Sequence, residues 1–165
     1  MIIKDRKLVL EYATRKISET DFISKYPHKL DNNYMVNCFS KVLESKDTKD
    51  LEYLFMMLNF IEEKSLCPIL CELLVECWHS KHDNIATILQ FDVDYPECVD
   101  FVVEAIHLEC KLWYPSYRES FIKKCTYILA YLETEKALEK LKELSNSSDD
   151  LIKKYALDQI NEIEN

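Results

Sequence analysis

An all-α fold built from antiparallel helix pairs is what this sequence predicts, on three observations. Apolar residues recur at spacings of three and four almost throughout, which is the signature of a helix with one buried face. Strand-like alternation is missing. Glycine, which the tight turns of β-hairpins favour, is absent from all 165 residues.

Taken in order, the periodicity predicts helices at about Ile3 to Lys16, Thr20 to Tyr26, Asn32 to Glu44, Lys49 to Lys64, Cys67 to His79 and Asp83 to Phe91. Four more follow at about Tyr95 to Glu109, Ser116 to Leu132, Glu135 to Leu144 and Asp149 to Ile163. Two starts carry capping chemistry. Asp94-Tyr95-Pro96-Glu97 and Pro115-Ser116-Tyr117-Arg118-Glu119 each place a capping residue three before a glutamate. No linker or low-complexity tract interrupts the series, and the length suits one domain over 1–165, with N-terminal helices in 1–46 and helix pairs in 47–165.

Composition narrows the chemistry. Hydrophobic residues at 48% and charged residues at 31% describe an ordered globular chain. Without glycine there is no glycine-rich phosphate cradle and no dinucleotide fingerprint, which argues against most nucleotide enzymes. Met-Ile-Ile-Lys-Asp-Arg-Lys breaks up any signal-peptide core, and even the apolar run Leu66 to Val75 contains Glu72, so the expectation is a cytoplasmic protein with no membrane contact. Seven cysteines, at 38, 67, 71, 77, 98, 110 and 125, sit at apolar helix positions and read as buried reduced thiols.

An internal repeat shows at the C-terminal end. Phe121-Ile122-Lys123-Lys124 returns thirty residues later as Leu151-Ile152-Lys153-Lys154. Between them lie Leu132-Glu133-Thr134-Glu135-Lys136-Ala137-Leu138-Glu139-Lys140-Leu141 and the polar turn Asn146-Ser147-Ser148-Asp149-Asp150. A helix, a short turn, Ala-Leu-x-x-Leu, an aspartate-bearing turn and a second amphipathic helix make the pattern of a HEAT repeat. The predicted architecture is therefore a short HEAT-like α-solenoid, a fold whose exposed ridges suit partner binding.

Charge is distributed by region. Residues 1–46 hold nine basic and six acidic side chains, residues 47–110 hold three and fourteen, and residues 111–165 hold nine and ten. In the acidic middle, Asp92, Asp94, Glu97, Asp100 and Glu104 cluster, and spacings of three and four put the last three on one helix face. Such a stripe can be a solvated face whose acids favour a helix N-terminus. It can equally steer a basic partner; a nucleic-acid surface would need the opposite sign. The aromatic run Lys111-Leu112-Trp113-Tyr114-Pro115-Ser116-Tyr117 either packs over a helix end or supplies interface anchors, Trp113, Tyr114 and Tyr117 being the anchor types.

Cys67, Cys71, Cys77, His79 and His82 are of the residue types that bind zinc. Their spacing is poor, with no CxxC knuckle, and the expectation is no metal and no cofactor, with the histidines ending a helix. No spacing selects a catalytic pair, so the expectation is a binding protein rather than an enzyme.

Trp78-His79-Ser80-Lys81-His82-Asp83-Asn84-Ile85 with Leu89-Gln90, then Phe121-Ile122-Lys123-Lys124-Cys125 and the terminal repeat, resemble a group of bacterial HEAT-repeat immunity proteins. These occur beside polymorphic toxins, including contact-dependent growth inhibition systems. The resemblance covers roughly the second half of the chain, and Glu133 stands where related repeats commonly carry glycine. It implies a protein that binds the C-terminal domain of one cognate toxin, a nuclease and more narrowly a tRNase. The acidic and aromatic residues named above become candidate toxin-binding residues, with no direct contact to nucleic acid. A helical-repeat adaptor and a HEAT-like DNA glycosylase are the alternatives; the glycosylase needs a basic groove.

Overall fold

The computed structural model describes residues 3, 5–91, 95–110 and 115–165. Among these are ten α-helices and three 3-10 turns, and no strand. The chain divides into two compact units, Met1–Ile69 and Leu70–Asn165.

The first unit holds α1 (Arg6–Ala13), α2 (Glu19–Lys25), α3 (Asn32–Ser45) and α4 (Thr48–Phe55). Each starts on a side chain that satisfies an otherwise unpaired amide: Asp5 accepts from Leu8 N–H, Ser18 from Asp21, Asp31 from Tyr34 and Asp47 from Asp50. The helix expected over Lys49 to Lys64 stops at Phe55 and continues as 3-10 turns, Leu58–Phe60 and Glu63–Leu66. Tertiary contacts override the local pattern there. The tighter path brings Phe60 to 5.4 Å from both Tyr12 and Phe22, and Asn59 donates to the Tyr12 hydroxyl at 2.6 Å. Phe22, stacked on Tyr12 at 4.5 Å, is fully buried at the centre of this aromatic cluster.

The first unit also contains an ion pair with one side out of water. The Asp50 side chain is fully buried, and its Oδ1 accepts from Arg6 Nε at 3.0 Å and Nη2 at 2.7 Å, with the Ile3 N–H at 3.4 Å. Arg6 also lies 3.6 Å from Asp47 and 5.5 Å from the Tyr53 ring centre. The pair ties α1 to α4.

Helix α5 (Cys67–Leu74) runs across the division. The second unit continues with α6 (His82–Phe91), a 3-10 turn at Pro96–Cys98, α7 (Val99–Ile106), α8 (Pro115–Leu132), α9 (Glu135–Leu144) and α10 (Asp150–Glu164). Helix α8 is the centre: α6, α7, α9 and α10 all pack on it, and α9 also packs on α7 and α10. It buries Phe121, Ile122, Cys125, Ile128 and Leu129. Because α8 begins at Pro115, Ser116 lies inside the first turn and not before it, and the proline occupies the helix start that its fixed φ suits. Glu119 is used instead between helices, accepting from the Tyr155 hydroxyl of α10 at 2.5 Å. Arg118 bonds Asp149 at 2.6 Å, and Asp149 caps α10 through its other oxygen. Lys124 reaches α6 at Asp83 (2.6 Å) and Thr87 (2.9 Å).

A chain without glycine must turn left-handed corners on residues that carry a Cβ. Arg15 (φ 57°), Lys46 (φ 51°) and Glu133 (φ 50°) do so, each just past a helix C-terminus. At Arg15 the geometry is a Schellman motif, with Arg15 N–H bonded to Tyr12 C=O and Lys16 N–H to Glu11 C=O, both at 2.8 Å. The left-handed conformation costs a residue with a Cβ about 1 kcal/mol. Replacing exposed Arg15 or Glu133 by glycine is expected to raise the thermal midpoint, by about 3 °C for 1 kcal/mol in a protein of this size. A lower midpoint in calorimetry for both variants would contradict this.

Candidate functional site

The second unit carries the protein's charge. Met1–Ile69 has eleven basic and eleven acidic side chains, whereas Leu70–Asn165 has ten and nineteen. Five of its acidic residues lie on α7 and α9 and four on α10. Glu97 is exposed on the Pro96–Cys98 turn, and Asp100 and Glu104 are exposed one helical turn apart on α7. The opposite side of α7, Val99, Val102, Ala105 and Ile106, is buried, so packing holds the carboxylates toward solvent.

Packing of α9 on α7 adds residues that the sequence reading did not select. Glu135, Glu139 and Glu143 recur every four residues along α9 and are exposed. Lys136 Nζ crosses to Asp100 Oδ2 at 2.5 Å, and Lys140 bonds Glu143 at 2.8 Å. The Lys140 ammonium is held above its ordinary pKa, first by the hydrogen bond to Glu143 and further by the charges of Glu143, Glu139 and Asp100. Carboxylates from both helices thus act on one lysine. Six carboxylates on these two helices and their leading turn stand against three lysines, Lys136, Lys140 and Lys142. The spacing of four was legible in the sequence; that it faces the same side as Asp100 was not.

Of the other residues named from sequence, Tyr117 lies on a different element, the first turn of α8, and is 55% exposed. Asp92, Asp94, Trp113 and Tyr114 lie outside the described residues.

The Trp78-His79-x-x-His82 element closes the end of α5. His79 Nε2 donates to the Leu73 carbonyl at 2.9 Å while its Nδ1 accepts the Lys81 N–H at 3.0 Å, which sets a neutral ring. His82 Nε2 donates to the Glu76 carbonyl at 2.9 Å. The two rings stack at 4.6 Å, with the Trp78 ring 4.8 Å from His79 and Phe121 5.9 Å from His82. Burial, reinforced by His79, pushes the His82 imidazole down to about 4. Among the described residues no three His, Cys, Asp or Glu side chains converge as metal ligands.

The expectation of seven reduced thiols is corrected at two positions: Cys77 and Cys110 form a disulfide, with Cα atoms 5.2 Å apart. The two lie 33 residues apart in sequence, and only the return of the chain after α7 brings them together. The other five cysteines are buried and outside any disulfide. Cys98 lies against Cys71, whose thiol hydrogen bond lowers the Cys98 pKa, whereas burial raises that of Cys125. Among the described residues, no helix is long and apolar enough to cross a membrane. Compared with known proteins, the chain matches no family model, no curated protein and no solved structure.

Proposed function

We propose that this chain is an immunity protein, which binds and neutralises the nuclease domain of a cognate toxin through the acidic surface of α7 and α9. The observation that carries the proposal is the double row of exposed carboxylates, Glu97, Asp100 and Glu104 beside Glu135, Glu139 and Glu143. A nuclease binds a polyanion through a basic surface, and an acidic protein can occupy that surface in place of phosphates. The concentration of net negative charge in Leu70–Asn165 supports the same reading, as does the resemblance carried by Trp78 to Ile85 and the terminal repeat. The narrower substrate of the toxin, tRNA, rests on the resemblance alone.

The proposal includes a short HEAT-like solenoid for the second unit. It is supported by alternate helices packing in succession, α6 on α8 and α8 on α10, while α7 and α9 pack on α8 and on each other. The buried Phe121-Ile122 of α8 and the buried Ile152 of α10 fall at equivalent points of the repeated segment.

The test is binding to the C-terminal domain of a large exoprotein encoded beside this chain, with growth on co-expression as the second readout. Reversing Glu97, Asp100 and Glu104 to lysine together is expected to slow association at least tenfold and to flatten its salt dependence. Unchanged association kinetics in the reversed protein would sink the electrostatic interface. Absence of both binding and growth rescue with the unaltered protein would favour an adaptor.

A further inference from the structure

We propose that the Cys77–Cys110 disulfide is a thiol-exchange site, at which Cys77 takes up an external thiol such as glutathione while Cys110 departs as the buried leaving group. The two sulfurs are in unlike surroundings. Cys77 is on the exposed turn after α5, whereas Cys110, beyond the end of α7, is only 6% exposed. Cys38, Cys67, Cys71, Cys98 and Cys125 are all buried, so Cys77 is the one cysteine of the seven on an exposed residue.

The leaving side is provided for as well. His82 Nε2 stands 3.9 Å from Cys110 Sγ, and its N–H, already directed at the Glu76 carbonyl, is placed to share its hydrogen with a thiolate formed there. A hydrogen-bond donor beside a leaving sulfur stabilises the thiolate and speeds its departure. The advantage of Cys77 is access.

The exchange balances as follows. A glutathione thiolate attacks Cys77 Sγ; the new sulfur–sulfur bond forms as the Cys77–Cys110 bond breaks, and the electron pair leaves on Cys110 Sγ, which then takes a proton from water. A second glutathione thiolate attacks the glutathione sulfur of the mixed disulfide and releases oxidised glutathione with Cys77 as thiolate. Two thiols are oxidised and one protein disulfide is reduced. In the reduced protein the residues following α7 are no longer tied to the turn between α5 and α6.

Alkylation and mass measurement of the full chain test this. After dialysis against oxidised glutathione alone, the denatured, unreduced protein is expected to take five alkyl groups, and seven after dialysis against excess reduced glutathione; seven in the first case, or five in the second, would overturn the site. In Cys110→Ser, oxidised glutathione is expected to add one adduct, on Cys77, at least ten times faster than it modifies Cys110 in Cys77→Ser. Equal rates, or faster modification of Cys110, would overturn the assignment of roles, and the alkylation count on the unaltered chain decides the disulfide independently of whether either variant folds.

Discussion

Replacing Arg6 by alanine is expected to destabilise the protein by about 3 kcal/mol, the loss typical when a buried charge is left without its partner. Asp50 is fully buried and its Oδ1 receives two of the guanidinium's N–H groups, so removing Arg6 takes both charge-assisted hydrogen bonds from a buried carboxylate in the first unit. Asp47, 3.6 Å from Arg6, is a further acid and cannot replace the lost cation. The Ile3 N–H, at 3.4 Å from the same oxygen, neutralises no charge. Arg6→Lys is expected to retain part of the stability, because one ammonium cannot reproduce the paired Nε and Nη2 contacts. Removing both charges together in Arg6→Met/Asp50→Leu should lose less than Arg6→Ala, since no unpaired charge remains. Urea midpoints for the three variants decide the matter. A loss below about 1 kcal/mol in Arg6→Ala would show that water reaches Asp50 and that the pair behaves as a surface one.

Acidification from pH 7 to pH 4.5 is expected to cost about 2 kcal/mol through His82. In the unfolded chain this imidazole titrates at about 6.5, whereas in the fold burial and His79 hold it at about 4. Between these values the unfolded chain binds more protons, so stability rises with pH across the window and is lost as pH falls through it. Above the unfolded value the ring is neutral in both states and nothing is lost. At about 1.4 kcal/mol for each pH unit of separation the full loss, complete only below the folded value, is about 3.5 kcal/mol, of which about 2 kcal/mol is reached by pH 4.5.

Asp21, Asp31 and Asp149 have pKa values lowered by Ser18, by the Tyr34 amide and by Arg118 respectively, and the stability they contribute is lost below about pH 4. The higher window therefore separates the histidine from the carboxylates. His82→Gln keeps an N–H donor for the Glu76 carbonyl and removes the titration. Urea midpoints at pH 7 and pH 4.5 should differ at least twofold less in that variant, and an unaltered difference would remove His82 as the cause.

The elements most legible in the sequence are those whose cause is local. Glu135–Leu144 begins and ends where the periodicity places it, because Thr134 caps the Ala137 amide and the apolar stripe Ala137, Leu141, Leu144 is complete within ten residues. Asn32 to Glu44 and Asp149 to Ile163 match to within one residue for the same reason. The segment Lys49 to Lys64 did not hold as one helix. Its apolar spacing permits a helix, but Phe60 and Asn59 gain more from Tyr12 and Phe22 than from the helix ladder. Asp100 and Glu104 could be placed on one face by counting, whereas Glu135, Glu139 and Glu143 joined them only through the packing of α9 on α7. The histidines, expected to end a helix reaching His79, lie beyond it: α5 stops at Leu74, His82 opens α6, and both rings bond back to carbonyls at and just past the end of α5.

By itself, then, the sequence determined the helical class, most helix limits and the regional excess of acid, because helix periodicity, capping and charge act within a few residues. Tertiary structure alone decided the burial of Asp50 on Arg6, the meeting of Cys77 with Cys110, and the lysine bridge between α9 and Asp100. Those partners are separated by 33 to 44 residues, and no local pattern encodes a pairing that only the packing of whole helices brings within reach.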